Sequence, residues 1–171
     1  NNDSFRDPPM LQEYMNKWDG QIFLDCLELN TKKSVLEIGI GTGRIAVKVA
    51  PYCMQLTGID ISQKTIDRAK ENLKTYKNIS YICDDFNNYH FEETFDVIYS
   101  SLTMMHFEDK ERVISKVDTL LKDGGIFCLS IDKNQNKYID YGNRKVRIYP
   151  DTPENIGSII NSSSMKVSRV F

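Results

Sequence analysis

The sequence predicts a doubly wound α/β fold, a mostly parallel sheet with helices on both faces. Five short apolar runs have strand character, and amphipathic helical patterns separate them. The first run, in Val35-Leu36-Glu37-Ile38-Gly39-Ile40-Gly41-Thr42-Gly43-Arg44, empties into three alternating glycines that open a helix. Glycine lacks a Cβ and tolerates positive φ, so such a loop makes a sharp strand-to-helix turn and brings main-chain N–H groups up to a ligand.

Before the first strand, Met10 to Trp18 and Gly20 to Leu29 carry enough apolar residues for two short helices covering the sheet or its cleft as a partial lid. Strand runs are expected at 34–39, 55–60, 78–83, 95–100 and 125–131, with helices at roughly 43–52, 62–76 and 108–122. Ser62 reads as an N-cap, followed by an apolar stripe at Ile66, Ala69, Leu73 and Tyr76. Val113, Ile114, Val117, Leu120 and Leu121 repeat that stripe in the later helix. Right-handed crossovers then build the sheet outward and leave ligands beyond the carboxyl ends of the strands, near the first turn. After a polar loop at 132–136, Arg144 to Tyr149 alternates like a strand, Pro153 starts a helix to about Ile160, and Met165 to Phe171 reads as a last strand.

The composition fits one domain over residues 1–171: N-terminal helices in 1–30, a core in 35–131, and a strand-helix-strand tail in 132–171 on the substrate side. The chain starts without Met and stops inside a strand-like run, as a sequence trimmed at both ends would. Twenty-two Lys and Arg against twenty-four Asp and Glu, a net charge of −2, give no global attraction to nucleic acid or anionic membranes. No apolar run nears the ~20 residues of a membrane span, and the start lacks a secretory core, which predicts a cytoplasmic protein. Cys26, Cys53, Cys83 and Cys128 are scattered and read as buried thiols in a reducing compartment. With only His90 and His106 beside them, no metal site is expected.

Two ligand classes compete for the glycine loop. Gly41-x-Gly43-x-x-Ala46, with Asp60 ~20 residues on to hold a ribose, satisfies a dinucleotide pattern. Glu37 opposes it: a carboxylate at the end of the strand repels a pyrophosphate and attracts a ligand bearing an ammonium and a sulfonium. S-adenosyl-L-methionine is such a ligand.

The chain resembles the class I S-adenosylmethionine-dependent methyltransferases. The resemblance rests on Glu37-x-Gly39-x-Gly41-x-Gly43, Gly58-Ile59-Asp60-Ile61-Ser62, Cys83-Asp84-Asp85-Phe86, Phe95-Asp96-Val97-Ile98-Tyr99-Ser100 and Leu121-Lys122-Asp123-Gly124-Gly125, in that order from about residue 35 to 131. The segment from Arg144 looks most like that of small, stand-alone bacterial members. The resemblance implies a Rossmann-like sheet of the seven-stranded type, and leaves open whether this chain contains the last strand.

It also implies roles. Gly39, Gly41 and Gly43 would shape the loop beneath the cofactor, and Glu37 would orient its amino-acid end. Asp60 would accept from both ribose hydroxyls, since an ionised carboxylate can take two neighbouring O–H donors. Asp84 would accept from the adenine amino group, with Asp85 and Phe86 supplying a backbone donor and an apolar wall. Ile61 would pack on the adenine or ribose, and Ser100 and Ser101 would close the methionine side. Asp96 and the Lys122-Asp123-Gly124-Gly125 turn are expected to be structural.

Methyl transfer from a sulfonium is an in-line displacement that positioning and water exclusion can accelerate without a dedicated base. His106, after the fourth strand, is the candidate base if one is used, whereas His90 sits in a polar loop. Tyr14 and Trp18 are candidates to cap the cofactor, and Met104 and Met105 to line an acceptor pocket. The family's Asn/Asp-Pro-Pro-aromatic motif is absent after the fourth strand, which disfavours adenine, cytosine and glutamine amide as acceptors. A small-molecule acceptor is expected. The late basic residues Lys133, Lys137, Arg144, Lys145 and Arg147 leave an anionic metabolite or RNA open. The competing readings are an NAD(P)-dependent oxidoreductase, for which no Tyr-x-x-x-Lys pair is evident, and an inactive S-adenosylmethionine-binding regulatory partner with an exposed apolar patch.

Overall fold

A computed structural model describes residues 3–132, 135–140, 142 and 145–171, with the side chains of Lys17 and Trp18 outside the description. Five parallel strands form the main sheet: β1 (Ser34–Ile38), β2 (Gln55–Asp60), β3 (Ile79–Cys83), β4 (Phe95–Ser101) and β5 (Leu121–Ser130). Their order is β3-β2-β1-β4-β5, so the chain winds outward from β1 and then returns to its other side. That reversal, between β1 and β4, is the switch point beside which open α/β sheets bind ligands. β1 is buried along its whole length because helices cover both faces, whereas the edge strand β3 is only partly covered.

Period-two alternation divides the apolar residues between two cores. On one face Val35, Leu56, Val97 and Tyr99 pack with Phe23 of α2 (Gln21–Cys26), Ala46 and Val49 of α3 (Ala46–Val49), and Ile66 of α4 (Gln63–Asn72). On the other, Leu36, Ile59 and Ile98 meet Val113, Ile114 and Val117 of α5 (Lys110–Leu120) and Ile156 of α6 (Pro153–Asn161). Ser62, Asp109 and Thr152 each accept a backbone N–H three residues on, which caps α4, α5 and α6. Helix α1 (Pro9–Trp18) precedes them all and joins α2 through Asp19 and Gly20.

Several expected elements change length. The helix expected over 43–52 shrinks to α3 followed by a 3-10 turn at Ala50–Tyr52, where Pro51 offers no N–H to continue an α-helical ladder. Lys122 to Gly125 belongs to β5, yet it loops out: Phe95 faces Leu121 while Val97 already faces Ile126. Lys122 fastens that bulge to β4 through a 2.9 Å ion pair with Asp96, which also accepts the Ser34 N–H at 2.8 Å. These contacts hold the Asp96 carboxyl down at about 2, the structural role expected of it.

Among the described residues the main sheet has five strands, and the last strand of the seven-stranded type, left open by the sequence, is not among them. Met165 to Phe171 is not a strand, since no ladder forms along it. Val170 and Phe171 stay 71% and 79% exposed, and alternation without a partner edge or a face to bury does not order a strand. The strand expected over Arg144–Tyr149 narrows to β7 (Lys145–Arg147), which pairs antiparallel with β6 (Tyr138–Asp140) in a separate ribbon. Lys133 and Arg144 lie outside the described residues. Cys83 is exposed rather than buried, while Cys53 is buried, and all four thiols are free. No helix among the described residues is long and apolar enough to cross a membrane.

Candidate functional site

The carboxyl ends of β1, β2 and β4 open into a cavity of about 760 Å³. Its floor is the loop after β1. Gly39 and Gly41 have φ of +78° and +56°, a region closed to most side chains, and Gly39 packs against the Thr103 side chain where a Cβ would collide. A Cβ on Gly41 would meet nothing nearer than the Gly39 carbonyl at 4.0 Å, so the backbone there faces open space. Gly43 packs on Leu73 of the helix end and serves the core.

Glu37 lines this cavity although its residue is only 3% exposed. The Tyr99 hydroxyl, from the neighbouring position of β4, donates to Oε2 at 2.7 Å. No hydrogen bond from the described residues reaches Oε1. Burial pushes the Glu37 carboxyl up to about 8, against the Tyr99 hydrogen bond and the nearby Arg44 charge. Its proton is therefore bound in the folded chain at pH values where the unfolded chain, near 4.5, has lost it. This contribution to stability is fully present below 4.5 and is lost as pH rises toward 8, at up to about 1.4 kcal/mol per pH unit. Thermal melts of the ligand-free chain from pH 5 to 8 should show Glu37→Gln gaining on the parent as pH rises, and parallel curves would remove the buried carboxyl as the cause.

Asp60 ends β2 with both carboxylate oxygens pinned by backbone: Gly41 N–H donates to Oδ2 at 3.0 Å and Ser62 N–H to Oδ1 at 2.9 Å. Each oxygen keeps a second lone pair for a ligand. Ile61 beside it is 74% exposed and forms part of the wall. Asp84, Asp85 and Phe86 follow β3 along the same wall. The Asp85 N–H already donates to Asp84 Oδ1 at 2.7 Å, which leaves the Phe86 N–H as the loop's donor, since no acceptor among the described residues faces it. The Phe86 ring is buried against Phe91 and Phe107.

Ser100 does not join this group. It is fully buried and donates to the Ile38 carbonyl at 3.1 Å, tying β4 to β1. Period-two alternation explains the difference: Ser100 turns away while Ser101 reaches the cavity wall and donates to Asp19. His106 ends the 3-10 turn Met104–His106 and lines the cavity. Partial burial lowers its imidazole below the usual histidine value, against the nearby Asp60 charge. Of the two methionines beside it, Met104 is core.

Several lining or supporting residues carry no motif. Asp19, fully buried after α1, takes two Arg44 N–H donors at 2.6 Å each and so clasps the N-terminal helices to the glycine loop. Leu11 and Met15 line the cavity with Asp7, and the i, i+4 spacing of the two apolar residues on α1 is the signal that could have found this helix face. Tyr14, the aromatic expected there, is 53% exposed and does not line the cavity. The side chain of Trp18, its expected companion, lies outside the described residues.

A family model described as a methyltransferase domain matches residues 36–129, more than half of the chain. The chain belongs to that family. Malonyl-(acyl-carrier protein) O-methyltransferase 1 of Ilyobacter polytropus is 30% identical over 61% of this chain and 40% of its own length. The ubiquinone biosynthesis O-methyltransferase of Coxiella burnetii is 32% identical over 63% of this chain and 47% of its own. The chain thus spans less than half the length of these two relatives. Among solved methyltransferase folds, the N-methyltransferase NodS of Bradyrhizobium japonicum WM9, crystallised with S-adenosyl-L-homocysteine, superposes over 99% of this chain and 84% of its own with a TM-score of 0.71 at 23% identity. The dinucleotide reading of the glycine loop gives way to this methyltransferase family.

Proposed function

We propose that this chain transfers a methyl group from S-adenosyl-L-methionine to a small-molecule acceptor, acting as one domain in the reducing cytoplasm. The Glu37 carboxyl carries the reading, buried at the end of β1 with one oxygen held by Tyr99 and the other open to the cavity. An oxygen in that position suits an ammonium group and disfavours a pyrophosphate. The open space above Gly41 and the spare lone pairs of Asp60 fit the nucleoside half of the same ligand. Bound there, the cofactor supplies an activated methyl on a sulfonium.

In this reading, Glu37 takes the cofactor ammonium and gives up its own proton as it does so. Asp60 accepts from the ribose hydroxyls, and Gly41 lets the backbone approach them. Asp84 and the Phe86 N–H address the adenine edge, with Ile61 against its face. Leu11 and Met15 of α1 exclude water from the methionine side, and Ser101 holds that side through Asp19. His106, which lines the same cavity, is the residue to take an acceptor proton if a base is used.

Thermal unfolding with matched S-adenosylmethionine, S-adenosylhomocysteine, NADH and NADPH tests this. A ligand at 100 times its Kd adds about 2.7 kcal/mol, a rise of roughly 5–10 °C for a chain of this size. Stabilisation by the two adenosyl-sulfur ligands alone is expected, and stabilisation by the nicotinamides alone would overturn the reading.

A further inference from the structure

Beyond the groups assigned to the cofactor, the cavity wall includes Asp7, Phe107, Val146 and His106, with Leu11 and Met15 of α1 alongside them. Among them Asp7 carries the only carboxylate, and no hydrogen bond or ion pair from the described residues engages it. Its backbone carbonyl alone is used, by Gln12. Among the described residues no free cation lines the cavity to balance it. Arg44, the one Lys or Arg among the described lining residues, is committed to Asp19 through two N–H donors.

Of the basic residues expected to draw an anionic substrate, Lys133 and Arg144 lie outside the described residues, and Lys145 and Arg147 face away from the cavity. On β7 the side chains alternate, and Val146 is the residue that reaches the cavity, so its neighbours Lys145 and Arg147 lie on the opposite side of the ribbon. Lys145 pairs there with Asp140 at 3.6 Å, and the Arg147 guanidinium stacks on the Tyr149 ring at 5.0 Å. Lys110 is turned inward on the Phe107 and Tyr149 carbonyls. Among the described residues, a phosphate or carboxylate entering the cavity would therefore meet carboxylates without a free counter-cation, whereas an ammonium on an apolar body would meet Asp7 with Leu11, Met15, Phe107 and Val146 around it.

We propose that the acceptor is a small organic amine, bound as its ammonium form by Asp7 and methylated on nitrogen. This rests on the methyltransferase reading above. The ammonium gives one proton to a ring nitrogen of His106. The freed nitrogen lone pair then forms the N–C bond while the C–S bond breaks and its electron pair stays on sulfur. The product leaves as a methylated ammonium beside a neutral thioether, so the positive charge passes from sulfur to nitrogen and the proton rests on His106.

Binding can be read without turnover. With the full chain saturated by S-adenosylhomocysteine, titration calorimetry compares phenethylamine, phenethyl alcohol and 3-phenylpropionate, which share one apolar body. The amine should bind about tenfold or more tightly than the alcohol, and the carboxylate most weakly. Asp7→Asn should erase the preference of amine over alcohol while S-adenosylhomocysteine affinity is retained, which also shows that the variant is folded. Equal or better binding of the alcohol or the carboxylate, no binding of the amine, or an amine preference that survives Asp7→Asn overturns the proposal. Failure of S-adenosylhomocysteine itself to bind would instead overturn the cofactor reading on which it rests.

Discussion

Asp60→Ala should weaken S-adenosylhomocysteine binding by at least about 100-fold. Two hydrogen bonds from ribose hydroxyls to an ionised carboxylate are worth about 1.5–3 kcal/mol each, and about 1.4 kcal/mol is a factor of ten in Kd. A second effect has the same sign. Gly41 N–H and Ser62 N–H lose their acceptor, so the glycine loop is no longer pinned in the shape that admits a ligand. The Gly41 amide borders the cavity and Ser62 is only partly buried, so both orphaned amides can turn to water and the melting temperature should fall far less than the affinity. Calorimetric titration beside a thermal melt separates the two, and an unchanged Kd in Asp60→Ala would take this residue out of the binding site.

The second large effect concerns stability. Asp19 is fully buried and receives two Arg44 N–H donors and the Ser101 hydroxyl. Asp19→Ala leaves the guanidinium, whose side chain is 20% exposed, without its partner. Breaking a buried pair from one side costs about 3 kcal/mol or more, which corresponds to roughly 9 °C for a chain of this size. The double variant Asp19→Leu with Arg44→Met removes both charges and fills the space, so it should recover most of that loss. A melting temperature for Asp19→Ala within about 2 °C of the parent would mean that the clasp between the N-terminal helices and the glycine loop contributes little. Because Asp19 follows α1 directly, the same variant should also speed proteolysis within residues 9–18.

The elements legible in the sequence were those whose cause is local. Apolar runs of strand length, the Ser62 cap and the stripe of Ile66, Ala69 and Leu73 all follow from neighbours a few residues away, and all appear in the fold. The glycine loop belongs with them, since the Gly39 and Gly41 conformations are a property of residue type. Local pattern misled where a partner was required. Met165–Phe171 alternates as a strand should, yet no edge meets it, and the helix expected to run from 43 loses its regular end at Pro51. Ser100 and Ser101 look equivalent on paper, and only the side of β4 on which each falls separates a core hydrogen bond from a cavity wall.

By itself, the sequence determined the parallel α/β plan, the loop of glycines that opens toward a ligand, and the acidic positions at the ends of β1, β2 and β3. Strand period, helix period and glycine stereochemistry are written in consecutive residues. Tertiary structure alone decided the electrostatics of the site. Tyr99 meets Glu37 because β4 lies in register beside β1, Asp19 meets Arg44 because α1 folds back over the loop, and Lys145 and Arg147 turn from the cavity because β7 pairs with β6. Each of those contacts joins residues that only the register or the crossing of distant elements brings together, and charge in a cavity depends on which side chains arrive there with a partner already in hand.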